Sequence, residues 1–233
     1  MLRTLLLTTA LLAIAAPAQA RLQISITANG ATFSCFDGEL TCDQSGGANN
    51  LLVVDQFVGG AFVQIALAQS SPDNLQLSSS NIENLTGSPL TVGLFAGNTS
   101  FAPPVKRIEN SASLTFNNAV GSGVSTLSFF ADPANTQGAN PTNTPGTLLA
   151  SVSGTPVTNP DSFSGTLSTG FSALAPFSMT EEASLSLVSG GSITGFNQSM
   201  QAVVPEASTW VMLGLGFAGL GFAGYRRVGP RAV

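Results

Sequence analysis

Over most of this chain apolar residues alternate with Ser, Thr, Gln and Gly at every second position. That period fits a strand with one buried face and does not fit a helix with one buried face. Leu22, Ile24 and Ile26 alternate with Gln23, Ser25 and Thr27, and Leu90, Val92 and Leu94 share a face. Ala112, Leu114 and Phe116 repeat the pattern, as do Phe163, Gly165 and Leu167, and then Leu185 and Leu187. Val124 to Phe130 and Leu148 to Val152 are further strand candidates. Turn clusters separate them: Gly46-Gly47-Ala48-Asn49-Asn50, Ser71-Pro72-Asp73-Asn74, Gly97-Asn98, Gly121-Ser122-Gly123, Thr158-Asn159-Pro160-Asp161 and Gly190-Gly191. The pattern predicts an all-β fold, an antiparallel β-sandwich of jelly-roll-like form with a core of Leu, Val, Ile and Phe. Asn50 to Ala68 leaves two readings open, a helix or a strand pair about Gly59-Gly60. Ala131 to Gly146, with Pro133, Pro141 and Pro145, reads as a long surface loop.

The charge content narrows the chemistry. Only 8% of residues are charged, against about 25% in an average soluble domain. There is no His, which removes Ser-His-Asp and Cys-His catalysis, His-bound zinc and imidazole pH switching. From residue 21 to residue 204 three basic residues, Arg21, Lys106 and Arg107, face eleven acidic ones, a net charge of −8. That balance leaves no electrostatic footprint for nucleic acid. The same stretch has neither Trp nor Tyr, so it lacks the usual aromatic platform for a sugar ring. A hydrolase would need a carboxylate pair or a Ser-Lys dyad. Glu181 and Glu182 are adjacent, so on a strand they point to opposite faces, and Lys106 is the one lysine. No enzymatic activity and no cofactor are expected.

Cys35 and Cys42 close a ring of eight residues, with Gly38 available for a tight turn. In an oxidising compartment this predicts a disulfide, contributing about 2.5 kcal/mol on the loop-entropy model. Six intervening residues do not match the usual zinc spacing, and no His can complete a shell. Asp37, Glu39 and Asp43 cluster on this ring and could offer oxygens to calcium. They lack the EF-hand ligand pattern and read instead as solvated loop carboxylates, so no metal is expected.

Both ends carry targeting features. Met1-Leu2-Arg3 precedes an apolar run from Leu5 to Ala16, then Pro17 and Ala18-Gln19-Ala20. A positive start, a run of about 12 apolar residues and a small-x-small site describe a signal peptide cut by signal peptidase after Ala20. Near the other end, Trp210 to Tyr225 is apolar and is followed by Arg226 and Arg227. At 1.5 Å per residue it reaches about 24 Å, enough to cross the hydrocarbon of an inner membrane with its short neighbours. The arginines would stay on the cytoplasmic side. Its many glycines make it a weak helix. The expected organisation is a signal peptide at 1–20, an exported sandwich at 21–202, a terminal segment at 203–228 with a transmembrane helix at 210–225, and a cytoplasmic tail at 229–233.

Val204-Pro205-Glu206-Ala207, the Gly-rich helix and the Arg pair together resemble the PEP-CTERM sorting signal of exported proteins from Gram-negative bacteria. The resemblance implies recognition by an exosortase, a membrane-embedded cysteine transpeptidase that cleaves near the motif and removes the helix. By match, Pro205 and Glu206 are the recognised residues, and Ala207 stands where a second Pro is common. Proteins of this kind are linked to exopolysaccharide, biofilm or floc material. The resemblance thus implies a surface or extracellular-matrix structural protein, anchored transiently and then released outward, with exopolysaccharide as a partner. A carbohydrate- or surface-binding sandwich permanently anchored by its helix is the alternative.

Overall fold

The structure, a computed structural model, describes residues 21–142, 144–203, 211 and 213–218. Thirteen strands follow one another: β1 (Gln23–Ala28), β2 (Ala31–Phe36), β3 (Leu51–Val58), β4 (Ala61–Ser71), β5 (Asn74–Ser79), β6 (Asn81–Asn84), β7 (Leu90–Phe101), β8 (Val105–Asn117), β9 (Ser125–Asp132), β10 (Thr147–Gly154), β11 (Asp161–Ala173), β12 (Phe177–Leu187) and β13 (Ser192–Val203). They form two sheets with antiparallel pairing throughout. One runs β10-β9-β12-β7-β1-β2, the other β11-β8-β13-β5-β4-β3. β6 continues β5 between the same two neighbours: Phe196 faces Ser79 and Ile193 faces Ile82 in one register. From β6 to β13 the chain changes sheets at every link except the β9–β10 hairpin.

The alternating apolar residues meet between the sheets. Ile24, Ile26, Val92, Leu94, Leu127, Phe129 and Leu185 come from one layer, and Val54, Val63, Leu75, Leu77, Ile108, Leu114 and Phe116 from the other, all nearly or fully buried. Each such side chain contributes about 1.5–3 kcal/mol by leaving water. Phe177 anchors one end, with ring centroids 5.7 Å from Phe101 and 5.2 Å from Phe171. The open reading of Asn50 to Ala68 resolves to the β3–β4 hairpin, turned by Gly59 and Gly60 at positive φ. A Cβ on Gly59 would lie 1.9 Å from the Ala28 carbonyl oxygen, so only Gly fits.

Alternation alone did not fix depth. β11 is an edge strand, and its Leu167 is 42% exposed although it lies on the apolar side of the pattern. The loop between β9 and β10 is more than a surface connection. It lies as a strap on the outer face of the first sheet, and Ala139 in it is fully buried. Ser25 Oγ donates to the Ala139 carbonyl at 2.6 Å, and Gln137 Nε2 donates to the Arg21 carbonyl at 2.7 Å. A Cβ on Gly138 would collide with Thr180 on β12. Asp132 starts the strap by accepting the N–H groups of Ala134 and Thr136. The strap explains why Ser25 is buried although it points away from the core, and it also covers Gly97 and Thr180 on the same face.

Candidate functional site

β13 is an interior strand between β8 and β5, and it carries the chain to Val203, opposite Arg107. Pro205, Glu206 and Ala207 follow at once but lie outside the described residues, as do Arg226 and Arg227 and, at the other end, Ala18 and Ala20. Within the apolar segment expected to cross a membrane at 210–225, Val211 and residues 213–218 are helical. Leu213, Leu215 and Phe217 are about half to two-thirds exposed, so the sandwich does not cover them. Among the described residues no helix is long and apolar enough to cross a membrane.

The disulfide forms as expected. Cys35 is buried on β2 and bridges to Cys42, with Cα atoms 5.9 Å apart. Between them Glu39 N–H donates to the Phe36 carbonyl and Cys42 N–H to that of Glu39, with Gly38 at φ +78. The nearby carboxylates are taken up by the backbone. Asp37 accepts Asn50 N–H at 2.7 Å, Glu39 accepts Phe36 N–H at 3.0 Å, and Asp43 accepts Gly38 N–H at 2.9 Å and Ser45 N–H at 2.8 Å. Burial works against the Asp43 charge, but the N–H groups of Gly38, Ser45 and Val53 outweigh it and hold the carboxyl below its ordinary value. The solvated-carboxylate expectation therefore needs correction: these groups tie the loop together. Cys35, Glu39 and Cys42 lie close enough to share a metal ion, but both sulfurs are already bonded to each other. Arg21 lies over the Phe36 ring at 4.7 Å and reaches Glu39 at 3.7 Å.

A cleft of about 220 Å³ opens at one end, lined by Asn50, Ser70, Pro72, Asn98, Ser100 and Phe101 among others. Its described lining is made of hydroxyl, amide and apolar groups, which can offer hydrogen bonds. Lys106 is exposed, and Arg107 pairs with Glu109 at 3.0 Å on the surface. The adjacent acids do point to opposite faces. Glu182 turns outward, where Thr144 Oγ1 donates to it at 3.1 Å. Glu181 turns inward and is fully buried. Sequence reading had separated the pair correctly and missed the burial. The signal was present: Phe177, Met179, Ala183, Leu185 and Leu187 hold the apolar face of β12, and Glu181 interrupts that row.

No curated protein matches the chain. Among solved structures it is similar to a β-1,4-galactotriose complex of TmCBM61, at 7% identity over 62% of this chain and 88% of that one, TM-score 0.30. It is also similar to the adhesin domain of Epf from Streptococcus pyogenes, at 9% identity over 78% and 59%, TM-score 0.33. A third likeness is to a carbohydrate-binding module of the β-sandwich superfamily, at 10% identity over 79% and 72%, TM-score 0.31. At these scores the likeness carries no ligand and no activity to this chain. The specific match lies in the tail, where residues 203–227 fit the PEP-CTERM protein-sorting motif. The chain is thus a protein bearing the PEP-CTERM motif, the sorting signal of an exported exosortase substrate.

Proposed function

We propose that the protein is a non-enzymatic structural component of the cell surface or extracellular matrix, cut at its sorting motif by the exosortase. The observation that carries this reading is a boundary. The last strand, β13, ends at Val203, and the sorting motif begins at residue 203. Cleavage at Pro205-Glu206-Ala207 would therefore free a sandwich that keeps every strand. Signal peptidase removes residues 1–20 before this, and the apolar segment at 210–225 holds the chain in the inner membrane until the cut. Intact-mass analysis of the native protein tests the reading. The expected mass lacks both ends. A native protein that retains the residues after 207 would refute processing and leave a permanent anchor.

One observation favours the second reading, a carbohydrate- or surface-binding module. The outer face of the second sheet carries uncharged rows in register. Thr166, Ser111, Ser199, Gln76 and Gln69 cross five strands, and Ser164, Ser113, Asn197 and Ser78 form the next row. Hydroxyl and amide groups in such rows suit the hydroxyls of a neutral glycan or exopolysaccharide. Retention of the protein on a neutral glycan matrix would favour this reading over a purely structural one.

A further inference from the structure

We propose that Glu181 is an internal proton-binding site: the two sheets close on its neutral acid, and folding takes up one proton from a neutral exterior. Glu181 sits on the inward face of β12, between Ala96 of β7 and Phe129 of β9, and is fully buried. Among the described residues neither of its oxygens has a hydrogen-bond partner. β5 and β13 face β12 from the other sheet, and Gln198 of β13 reaches across from there, also fully buried. Its Nε2 donates to the carbonyls of Ser128 and Glu182, each at 3.3 Å. Its Oε1 is left without a partner. Three acceptor oxygens in one stretch of the interlayer thus lack a donor.

Among the described residues no cation balances them. β4, β5, β7 and β13 carry no ionisable side chain. β9 carries Asp132, whose carboxylate is turned to the N–H groups of Ala134 and Thr136. β8 carries Lys106, Arg107 and Glu109, all exposed, with the last two paired to each other. On β12 itself Glu182 faces outward to Thr144. An ionised carboxylate there would lose its hydration and gain only weak support from the N–H groups of Leu77 and Met200, whereas the neutral acid brings an O–H donor to a stretch where acceptors lack one. Burial pushes the Glu181 carboxyl well above the usual carboxylate range, and the N–H groups of Leu77 and Met200 favour the charge too weakly to offset it.

The sign of the pH effect follows. In the unfolded chain Glu181 ionises near pH 4.3, and in the folded chain it keeps its proton well above that. Stability is fully present below the unfolded value and declines as pH rises toward the folded one, by about tenfold in the folding constant per pH unit. The chain has no His, so between pH 5 and 8 the α-amino group is the one unperturbed group that titrates.

The test uses the exported protein with its disulfide intact. Denaturant unfolding is measured from pH 5.5 to 8.5, and proton uptake on refolding is read in weakly buffered solution near pH 7. The wild type should lose about tenfold in its folding constant per pH unit over part of that range, while Glu181→Gln stays flat and is the more stable at the upper end. Refolding of the wild type should take up about one proton more than refolding of Glu181→Gln. If the variant does not fold, the wild-type uptake decides alone. A wild type with flat stability, or one that refolds without taking up a proton, overturns the assignment.

Discussion

Between the two sheets the large apolar side chains are covered: Phe101, Phe116, Phe129 and Phe177 are at most 2% exposed, while exposed ones such as Leu40, Phe57 and Leu174 lie off that interlayer. Beyond β13, Val211, Leu213, Leu215 and Phe217 are 49–66% exposed. The residue types are alike, and the difference lies in what can cover them. In the sandwich each apolar face meets another sheet, so it contributes to stability. Among the described residues of the tail, these helical side chains are left uncovered, so their apolar surface adds little to the stability of the sandwich. Stability and addressing therefore belong to separate stretches of one chain, and a substitution in one should leave the other unchanged.

The largest expected effect lies in the sandwich. Phe177 is fully buried against Phe101 and Phe171. Phe177→Ala should cost about 3–5 kcal/mol, read by denaturant unfolding of the exported protein. The rate of C-terminal processing of the folded fraction should stay at the wild-type value. If processing slowed in proportion to lost stability, the two regions would not be separable.

Next comes the mirror experiment in the tail. Pro205 fixes φ and presents an extended segment, and Glu206 offers a carboxylate for a charge-assisted contact worth about 1.5–3 kcal/mol. Glu206→Gln and Pro205→Ala should each slow processing by roughly ten- to a hundredfold, with full-length protein accumulating in the inner membrane. The unfolding midpoint of the sandwich should not move. Wild-type processing in both variants would remove the recognition role of the motif.

How far each region was readable from sequence follows from the kind of information it holds. Strands whose alternation faces a partner sheet, such as β1, β8 and β12, could be read from period two alone. The depth of β11 could not, because Leu167 has the same pattern as Leu114 and differs only by lying at an edge. The strap could not either. Ala139 and Gly138 have no period; Ala139 is held by Ser25, 114 residues away in sequence, and Gly138 lies against Thr180 on a later strand. The tail was readable in the opposite sense. Its motif is matched as one run of local sequence, residues 203–227, so little tertiary knowledge is needed to find it.

Opening the disulfide ranks below these. Cys35→Ser with Cys42→Ser should lower stability by about 2.5 kcal/mol, because an eight-residue ring is released into the unfolded chain. The loss falls on the sandwich alone. Thiol labelling of the denatured, unreduced wild type should find no free thiol, and two free thiols would refute the bridge in the exported form.

The smallest effect concerns Asp43, and it sharpens the comparison because it separates two kinds of carboxylate within the sandwich. Glu181 is buried without a hydrogen-bond partner among the described residues, so its proposed neutral form makes the fold lose stability as pH rises. Asp43 accepts the N–H groups of Gly38 and Ser45 and lies near that of Val53 at 3.4 Å, so its charge is favoured in the folded state. Its folded pKa is lowered below the unfolded value of about 3.9. The stability it contributes is therefore present above that value and is lost as pH falls through the folded one. Asp43→Asn keeps a single acceptor oxygen where two were used, and places a donor NH₂ against N–H groups. At pH 6 the variant should be less stable by about 1 kcal/mol, the typical worth of one net hydrogen bond. Below about pH 3 the difference should shrink, since the wild-type carboxyl then gains its own proton. Unfolding curves of both proteins at pH 6 and pH 2.5 check this. A gap that is the same at both pH values would mean that Asp43 acts through shape and not through its charge.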